Sequence, residues 1–167
     1  QAVLSSLPLL DENDHRRVLA VLSAVAERRV LPHFERQRGV NVVRLARVSE
    51  RFRIQRMEDV EGRMRFVSLL TEEARLWTIH IHERVYDYFA FGMPDDLAGG
   101  LGRATPEARK ILALAQLVLR HEFHHIIHPE HDETAIVIED ATYSLDRRAR
   151  DPSFYDALCG VLTDSST

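Results

Sequence analysis

The segment from Thr105 to Pro129 constrains the fold more than any other part of the chain. Thr105 is a typical N-cap residue, and Pro106 and Glu107 suit the first turn of a helix. Pro129 disfavours helical conformation at the preceding residue, so the helix is expected to end at about His128. The sequence therefore predicts one long helix in the second half of the chain.

The C-terminal half of this predicted helix carries histidines on its apolar side. Steps of about 100° per residue place His121, His125 and His128 in line with an apolar stripe. The stripe consists of Leu114, Leu117 and Val118. We therefore expect these histidines to face the core. Buried imidazoles need partners, which either a metal ion or hydrogen-bonding groups can supply.

Two of these histidines and the glutamate that follows the first form a metal-binding pattern. His121 and His125 lie one helical turn apart, so both can bind the same ion. Glu122 can then act as general base for a water on that ion, because the ion lowers the water's pKa toward about 7. The chain has 9 histidines and 14 glutamates among 167 residues. Since the pattern is then expected by chance only roughly 0.04 times, we predict a Zn²⁺ site here.

Two further histidines are candidates for a third protein ligand. His128 lies seven residues after His121, about 10.5 Å along the helix axis, so one ion cannot bind both residues. His131 lies six residues after His125 and reaches the ion only if the chain turns sharply after the helix. His131 therefore stands as an alternative ligand.

A glutamate on the next predicted helix is the favoured third ligand. This helix is expected to begin near Asp132 and to end at about Arg148. If it runs antiparallel to the first helix, Glu139 returns to the level of the two histidines. Glu139 flanks an apolar stripe that we expect to face the core, whereas Glu133 and Asp140 are expected to point away from it. The stripe consists of Ala135, Ile138, Thr142 and Leu145.

The sequence HEFHH at residues 121–125 resembles the HExxH signature of the zincin metallopeptidases. The resemblance implies that His121 and His125 bind zinc, that Glu122 is the catalytic base and that the reaction is hydrolysis of a peptide bond. The order of helices and strands predicted for the chain is similar to the minimal catalytic core of that family.

Two branches of this family differ in the third ligand. The gluzincin branch takes it from a glutamate on the following helix, which would be Glu139; this chain has Tyr143 where that branch commonly has an aspartate. The metzincin branch has the pattern HExxHxxGxxH, whose spacing His131 fits, but His128 replaces the glycine and no methionine follows Met93. Tyr143 is also a candidate donor to a developing oxyanion, although a structural tyrosine at the edge of the core is the simpler interpretation.

A helix followed by strands is predicted for the first half of the chain. Asp11 is a typical N-cap residue, and Pro32 is expected to kink or restart the helix that follows it. Alternating polar and apolar residues at 51–55 and 63–66 predict a hairpin. The segment 71–91 fits either a strand or a helix, and we favour the strand.

Together these elements predict a single α+β domain over residues 1–167, a length that suits one domain. It comprises an N-terminal helix, a small antiparallel sheet or hairpin, the HExxH helix and a following antiparallel helix. A loop over residues 92–102 and a short C-terminal helix over residues 154–162 complete the prediction.

Composition limits the remaining classes of protein. Hydrophobic residues make up 45% and charged residues 29%, as in soluble globular proteins, and no apolar run approaches the roughly 18 residues that span a membrane. The single cysteine, Cys159, fits a reducing compartment, so we expect a cytoplasmic location. The net charge of −4 argues against a generally nucleic-acid-binding surface.

The favoured function is a zinc-dependent endopeptidase acting on a peptide or protein substrate. A second interpretation is a regulatory or scaffold module that keeps a peptidase-like fold without catalysis. A third comes from residues 28–65, which hold 11 arginines and 5 acidic residues and so leave an arginine-rich nucleic-acid-binding domain as an alternative.

Overall fold

The computed structural model describes residues 10–63, 65–92 and 106–150. These residues form the predicted α+β arrangement of helices around a small sheet. In chain order the elements are α1 (Glu12–Val25), α2 (Leu31–Glu35), α3 (Val42–Glu50), β1 (Phe52–Met57), β2 (Ser68–Glu73), β3 (Leu76–His82), α4 (Glu83–Gly92), α5 (Pro106–Ile127) and α6 (Glu133–Arg150). The predicted N-cap Thr105, the loop after Gly92 and the C-terminal helix at 154–162 lie outside the described residues.

The N-terminal helix begins where its sequence predicts. Asp11 caps α1 by accepting a hydrogen bond of 2.8 Å from the backbone of Asp14, whose side chain accepts one from Asp11 in return. A turn of π-helix at Ala26–Val30 separates α1 from α2. Pro32 lacks a backbone donor and its ring would clash with a regular preceding turn, so the wider π-turn accommodates it. The predicted restart of the helix at Pro32 is therefore confirmed.

Helix α3 is an element that the sequence analysis missed. Its N-cap is Asn41, whose side chain accepts a hydrogen bond from the backbone of Arg44 at 3.1 Å. Leu45 and Val48, three residues apart, are buried, which is the spacing of an amphipathic helix. Arg44 then donates to the carbonyl of Ile126 at 2.7 Å. This bond satisfies one of the last carbonyls of α5 and so fixes the end of that helix.

The sheet has the order β1-β3-β2, with β1 parallel and β2 antiparallel to β3. In the register, Phe52 lies opposite Trp77, and Ser68 lies opposite Ile81. The segment 71–91 contains both of the predicted structures: its first part forms strands in β2 and β3, and its last part forms the helix α4. The favoured strand is thus correct only up to His82.

The predicted hairpin between residues 51–55 and 63–66 is wrong in its second strand. Arg63 and Phe66 lie outside strands, and the hairpin joins β2 to β3 instead. Its turn is Ala74-Arg75, with φ of 52° and 65°. Positive φ at both central positions matches a type I′ turn, which usually contains glycine or asparagine. Without those residues the turn gave no signal in the sequence.

Helix α5 packs against the other helices and β2, and its buried residues continue into the main core. The largest of these on α5 are Leu112, Leu114, Leu119, Phe123 and Ile126. No helix within the described ranges is long and apolar enough to cross a membrane.

A tight turn joins α5 to α6. The backbone N–H of His131 donates to the carbonyl of His128 at 3.0 Å, and Asp132 caps α6 through the backbone of Ala135 at 2.8 Å. Because the connection is this short, α6 runs back along α5 from its first residue. The predicted end of α5 near His128 is confirmed. The antiparallel direction of α6 is also confirmed, because Glu133 contacts His125 whereas Asp140, seven residues later, contacts the earlier His121.

Candidate metal centre

Helix α5 brings three potential metal ligands together. One donor atom from each of His121, Glu122 and His125 lies within 4.8 Å of the others. The two imidazole rings have centroids 5.0 Å apart and are inclined at 72°. This closeness follows from their spacing, because residues four apart lie above one another on a helix.

The two histidines are partly exposed and do not enter the core. Their side chains are 21% and 28% exposed for His121 and His125. The buried face of the helix passes instead through Phe123 and Ile126. The expectation that the histidines continue the core-facing stripe is therefore wrong, since they lie beside that face.

A glutamate on α6 contacts both histidines. Oε1 of Glu133 lies 3.3 Å from Nε2 of His121, and its Oε2 lies 2.8 Å from Nε2 of His125. Glu133 is the first residue of α6, so the tight turn after α5 places it directly opposite His125. The same nitrogen of each ring therefore faces one carboxylate.

Glu139, the favoured third ligand from the sequence, is not brought to the two histidines. Its carboxylate lies 3.1 Å from the guanidinium of Arg120. The face of α6 was assigned wrongly: Ile138 and Leu145 of the expected core stripe are 62% and 60% exposed, whereas Ile136 is buried. The apolar side chains of Ile138 and Leu145 made the outer face of α6 resemble a core-facing one in the sequence.

Asp140 holds the other side of His121. Its Oδ2 forms a short hydrogen bond with Nδ1 of that histidine. A carboxylate at Nδ1 keeps a proton on that nitrogen, so Nε2 is the ring atom that can offer a lone pair to a metal ion. Oδ1 of Asp140 is buried and has no hydrogen-bond partner among the described residues. The expectation that Glu133 and Asp140 point away from the side of α6 that faces α5 is therefore wrong.

Glu122 lies in a buried position behind the histidines. Its side chain is 2% exposed, and the hydroxyl of Ser68 on β2 donates to its Oε2 at 2.8 Å. Burial raises the pKa of Glu122, and the hydrogen bond from Ser68 and the charges of His121 and His125 partly offset that rise. A carboxylate with a raised pKa is better suited to accept a proton near neutral pH.

A cleft of about 430 Å³ opens at this site. Its polar lining includes His121, Glu133, Asp140 and Ser68. The apolar residues of its wall are Phe66, Val67, Leu114, Leu117, Val118, Val137 and Ala141. The site therefore combines a few polar groups with an apolar wall, as small-molecule and peptide pockets commonly do.

Imidazole nitrogens and carboxylate oxygens are ligands that zinc accepts. The Nε2–Oε distances from Glu133, 3.3 Å to His121 and 2.8 Å to His125, are those of direct contacts between the side chains, so an ion here would take the place of these contacts. Burial lowers the pKa of His121, but the hydrogen bond and charge of Asp140, with the charges of Glu122 and Glu133, outweigh it and raise that pKa. The three carboxylates thus favour a positive charge on His121.

Tyr143 and His131, two other residues considered from the sequence, have different partners. The guanidinium carbon of Arg120 lies 4.1 Å from the centroid of the Tyr143 ring, which is a cation–π contact. His131 lies with Nδ1 at 2.7 Å from Nε2 of His124. His124 is 3% exposed, and burial lowers its pKa to about 4. The structure therefore brings together His121, Glu122 and His125, but not these residues.

The hydrogen bond from Ser68 to Glu122 predicts a shift in pH dependence. Ser68→Ala removes a donor that stabilises the ionised carboxylate, so the pKa of Glu122 is expected to rise. If ionised Glu122 is needed for activity, the acid limb of the pH profile of kcat/KM moves to higher pH. The profile of Ser144→Ala, another serine of the cleft, should keep the wild-type limb; equal profiles for wild type and Ser68→Ala would contradict this role.

Comparison of the chain with protein-family models, with curated proteins and with solved structures gave no match in any of the three. The function is therefore inferred from the geometry of the residues themselves.

Proposed function

We propose that the chain is a zinc-dependent peptidase, with His121, His125 and Glu133 as the zinc ligands. One observation carries this proposal: the Nε2 atoms of both histidines contact the carboxylate of Glu133, and the buried carboxylate of Glu122 lies next to them. We call His121, His125 and Glu133 the helix site. Glu133 replaces Glu139 as the third ligand because of these contacts.

The roles of the surrounding side chains follow from their positions. When bound, zinc supplies Lewis acidity, which acidifies a water and polarises the carbonyl of the substrate. Glu122 takes the proton as the water oxygen attacks the carbonyl carbon, and it delivers that proton to the nitrogen as the C–N bond breaks. Ser68 holds the Glu122 carboxylate in place, and Asp140 fixes the ring of His121.

The cleft supports a peptide as the substrate. Strand β2 is an edge of the described sheet and pairs only with β3 within it, so an extended peptide can add to its free side. Ser68, the first residue of β2, contacts Glu122. The apolar wall around Leu114, Leu117 and Val118 favours a substrate with an apolar side chain beside the cleaved bond.

The two other functions from the sequence have less support. Arginines of residues 28–65 that form bonds within the protein include Arg44, Arg53, Arg56 and Arg65. Fewer guanidinium groups therefore remain for a phosphate backbone. The raised pKa of the buried Glu122 carboxylate beside two histidines favours catalysis over a non-catalytic module. The cytoplasmic location expected from the single cysteine stays a prediction.

Removal and return of zinc test the proposal directly. Protein prepared without chelator is expected to hold at least about one equivalent of zinc and to cleave members of a random peptide library. A zinc chelator should abolish cleavage, and added zinc should restore it, because Glu122 alone cannot activate water sufficiently. Elemental analysis and mass spectrometry give the two readouts. Cleavage that survives complete removal of zinc, or zinc below a tenth of an equivalent after reconstitution, would refute the proposal.

A further inference from the structure

A second group of metal-binding side chains lies at the turn between α5 and α6. One donor atom from each of His128, Glu130 and His131 lies within 4.8 Å of the others. Oε1 of Glu130 is 3.2 Å from Nδ1 of His128 and 3.8 Å from Nε2 of His131. The two rings stack with centroids 4.8 Å apart and planes inclined at 16°. We call these three residues the turn cluster.

The backbone of the turn explains why these side chains meet. The N–H of His131 donates to the carbonyl of His128, so the two histidines occupy the first and last positions of a four-residue turn. Pro129 supplies the fixed φ that suits the second position, and Glu130 occupies the third. The local sequence alone therefore brings two imidazoles and a carboxylate to one place.

Partners outside the cluster fix both imidazole rings. Nε2 of His128 lies 2.8 Å from Oε1 of Gln37, and Nδ1 of His131 lies 2.7 Å from Nε2 of His124. His124 is itself 3% exposed and packs edge-on against Phe34. Each cluster histidine thus bonds to the protein through one ring nitrogen and presents the other to Glu130. Metal-binding histidines commonly have this arrangement, since the outer bond sets the tautomer and the ring orientation.

The chemistry of the donors selects the kind of ion. Two imidazoles and one carboxylate suit zinc, nickel or copper ions, whereas magnesium and calcium prefer oxygen ligands alone. The side chains of Glu130 and His131 are 63% and 42% exposed, so an ion can enter from solvent and water can complete its coordination. No residue of the turn cluster belongs to the helix site.

We propose that the turn cluster is a second site for a divalent transition-metal ion, with His128 Nδ1, Glu130 Oε1 and His131 Nε2 as ligands. The outer partners of its histidines are the neutral Gln37 and His124, whereas His121 of the helix site has the carboxylate of Asp140, so the turn cluster binds the ion more weakly. The turn that it bridges leads directly into Glu133, so an ion here also stiffens the segment that carries the third ligand of the helix site.

Zinc titration of metal-free protein by calorimetry tests this second site. Wild type is expected to bind about two equivalents in two steps of different affinity, and Glu130→Gln should lose the weaker step or weaken it at least about tenfold. Glu130 is exposed, so its replacement leaves the fold intact. Glu50→Gln, at an exposed glutamate of α3, is the matched control and keeps both steps.

The outcomes separate the two sites. If the helix site fails and the turn cluster holds, wild type binds one equivalent and Glu130→Gln binds none. If Glu130→Gln and Glu50→Gln give the same titration, the turn cluster is not a metal site, whatever happens at the helix site. Copper titration of His121→Ala provides a second readout, because the electron paramagnetic resonance spectrum of bound copper shows couplings to imidazole nitrogens. If these couplings disappear in the double variant His121→Ala/His131→Ala, they support the site. If the spectrum of the double variant is unchanged, it overturns the site.

Discussion

Replacing Glu122 by glutamine is expected to reduce kcat/KM for peptide hydrolysis by about 10²- to 10⁴-fold, the usual contribution of a general base. The amide has nearly the shape of the carboxylate and can still accept the hydrogen bond from Ser68, but it cannot take a proton from water. Because His121, His125 and Glu133 are unchanged, zinc content should stay at the wild-type level. Steady-state kinetics and elemental analysis of the same preparation measure both effects.

Two comparisons make this result informative. Glu35→Gln, at an exposed glutamate of α2, controls for the loss of a negative charge and should keep wild-type activity. If Glu122→Gln retains full activity, Glu122 is not the base and the mechanism fails. If wild type binds zinc but cleaves no peptide, the chain is a non-catalytic module with a peptidase-like metal site.

The parts of the site that lie within one helix could be predicted from the sequence. His121, Glu122 and His125 are separated by less than two turns, so helix geometry alone fixes their relative positions. The limits of α5 were also readable, because Pro106 and Pro129 act on the backbone locally. Long-range packing was not needed for either prediction.

The parts that depend on long-range packing were missed. Ser68 reaches Glu122 only because β2 pairs with β3, and the Ala74-Arg75 turn that joins those strands carries none of the usual turn residues. The sequence also does not indicate which side of α6 faces α5. Ile136 is buried and Ile138 is exposed, yet the two are indistinguishable by composition.

The side of α6 that faces α5 decides which carboxylate can be the third zinc ligand. The zinc affinities of single variants distinguish Glu133 from Glu139. Glu133→Gln is expected to weaken zinc binding at the tight site by more than about 100-fold, since loss of a ligand should exceed the 10- to 100-fold cost of losing an outer partner. Asp140→Asn, which alters the partner of His121 Nδ1, should fall within that 10- to 100-fold range. Competition with a chromogenic chelator measures these affinities.

Glu139→Gln is the matched control for Glu133→Gln, because both replace a partly exposed glutamate of α6. Its carboxylate pairs with Arg120 and contacts neither histidine in the structure, so its zinc affinity should stay within about twofold of wild type. The order of loss is then Glu133, Asp140, Glu139. The reverse order, with Glu139→Gln losing zinc and Glu133→Gln keeping it, would mean that α6 is rotated about its axis from the position described and that the original ligand assignment from the sequence was correct.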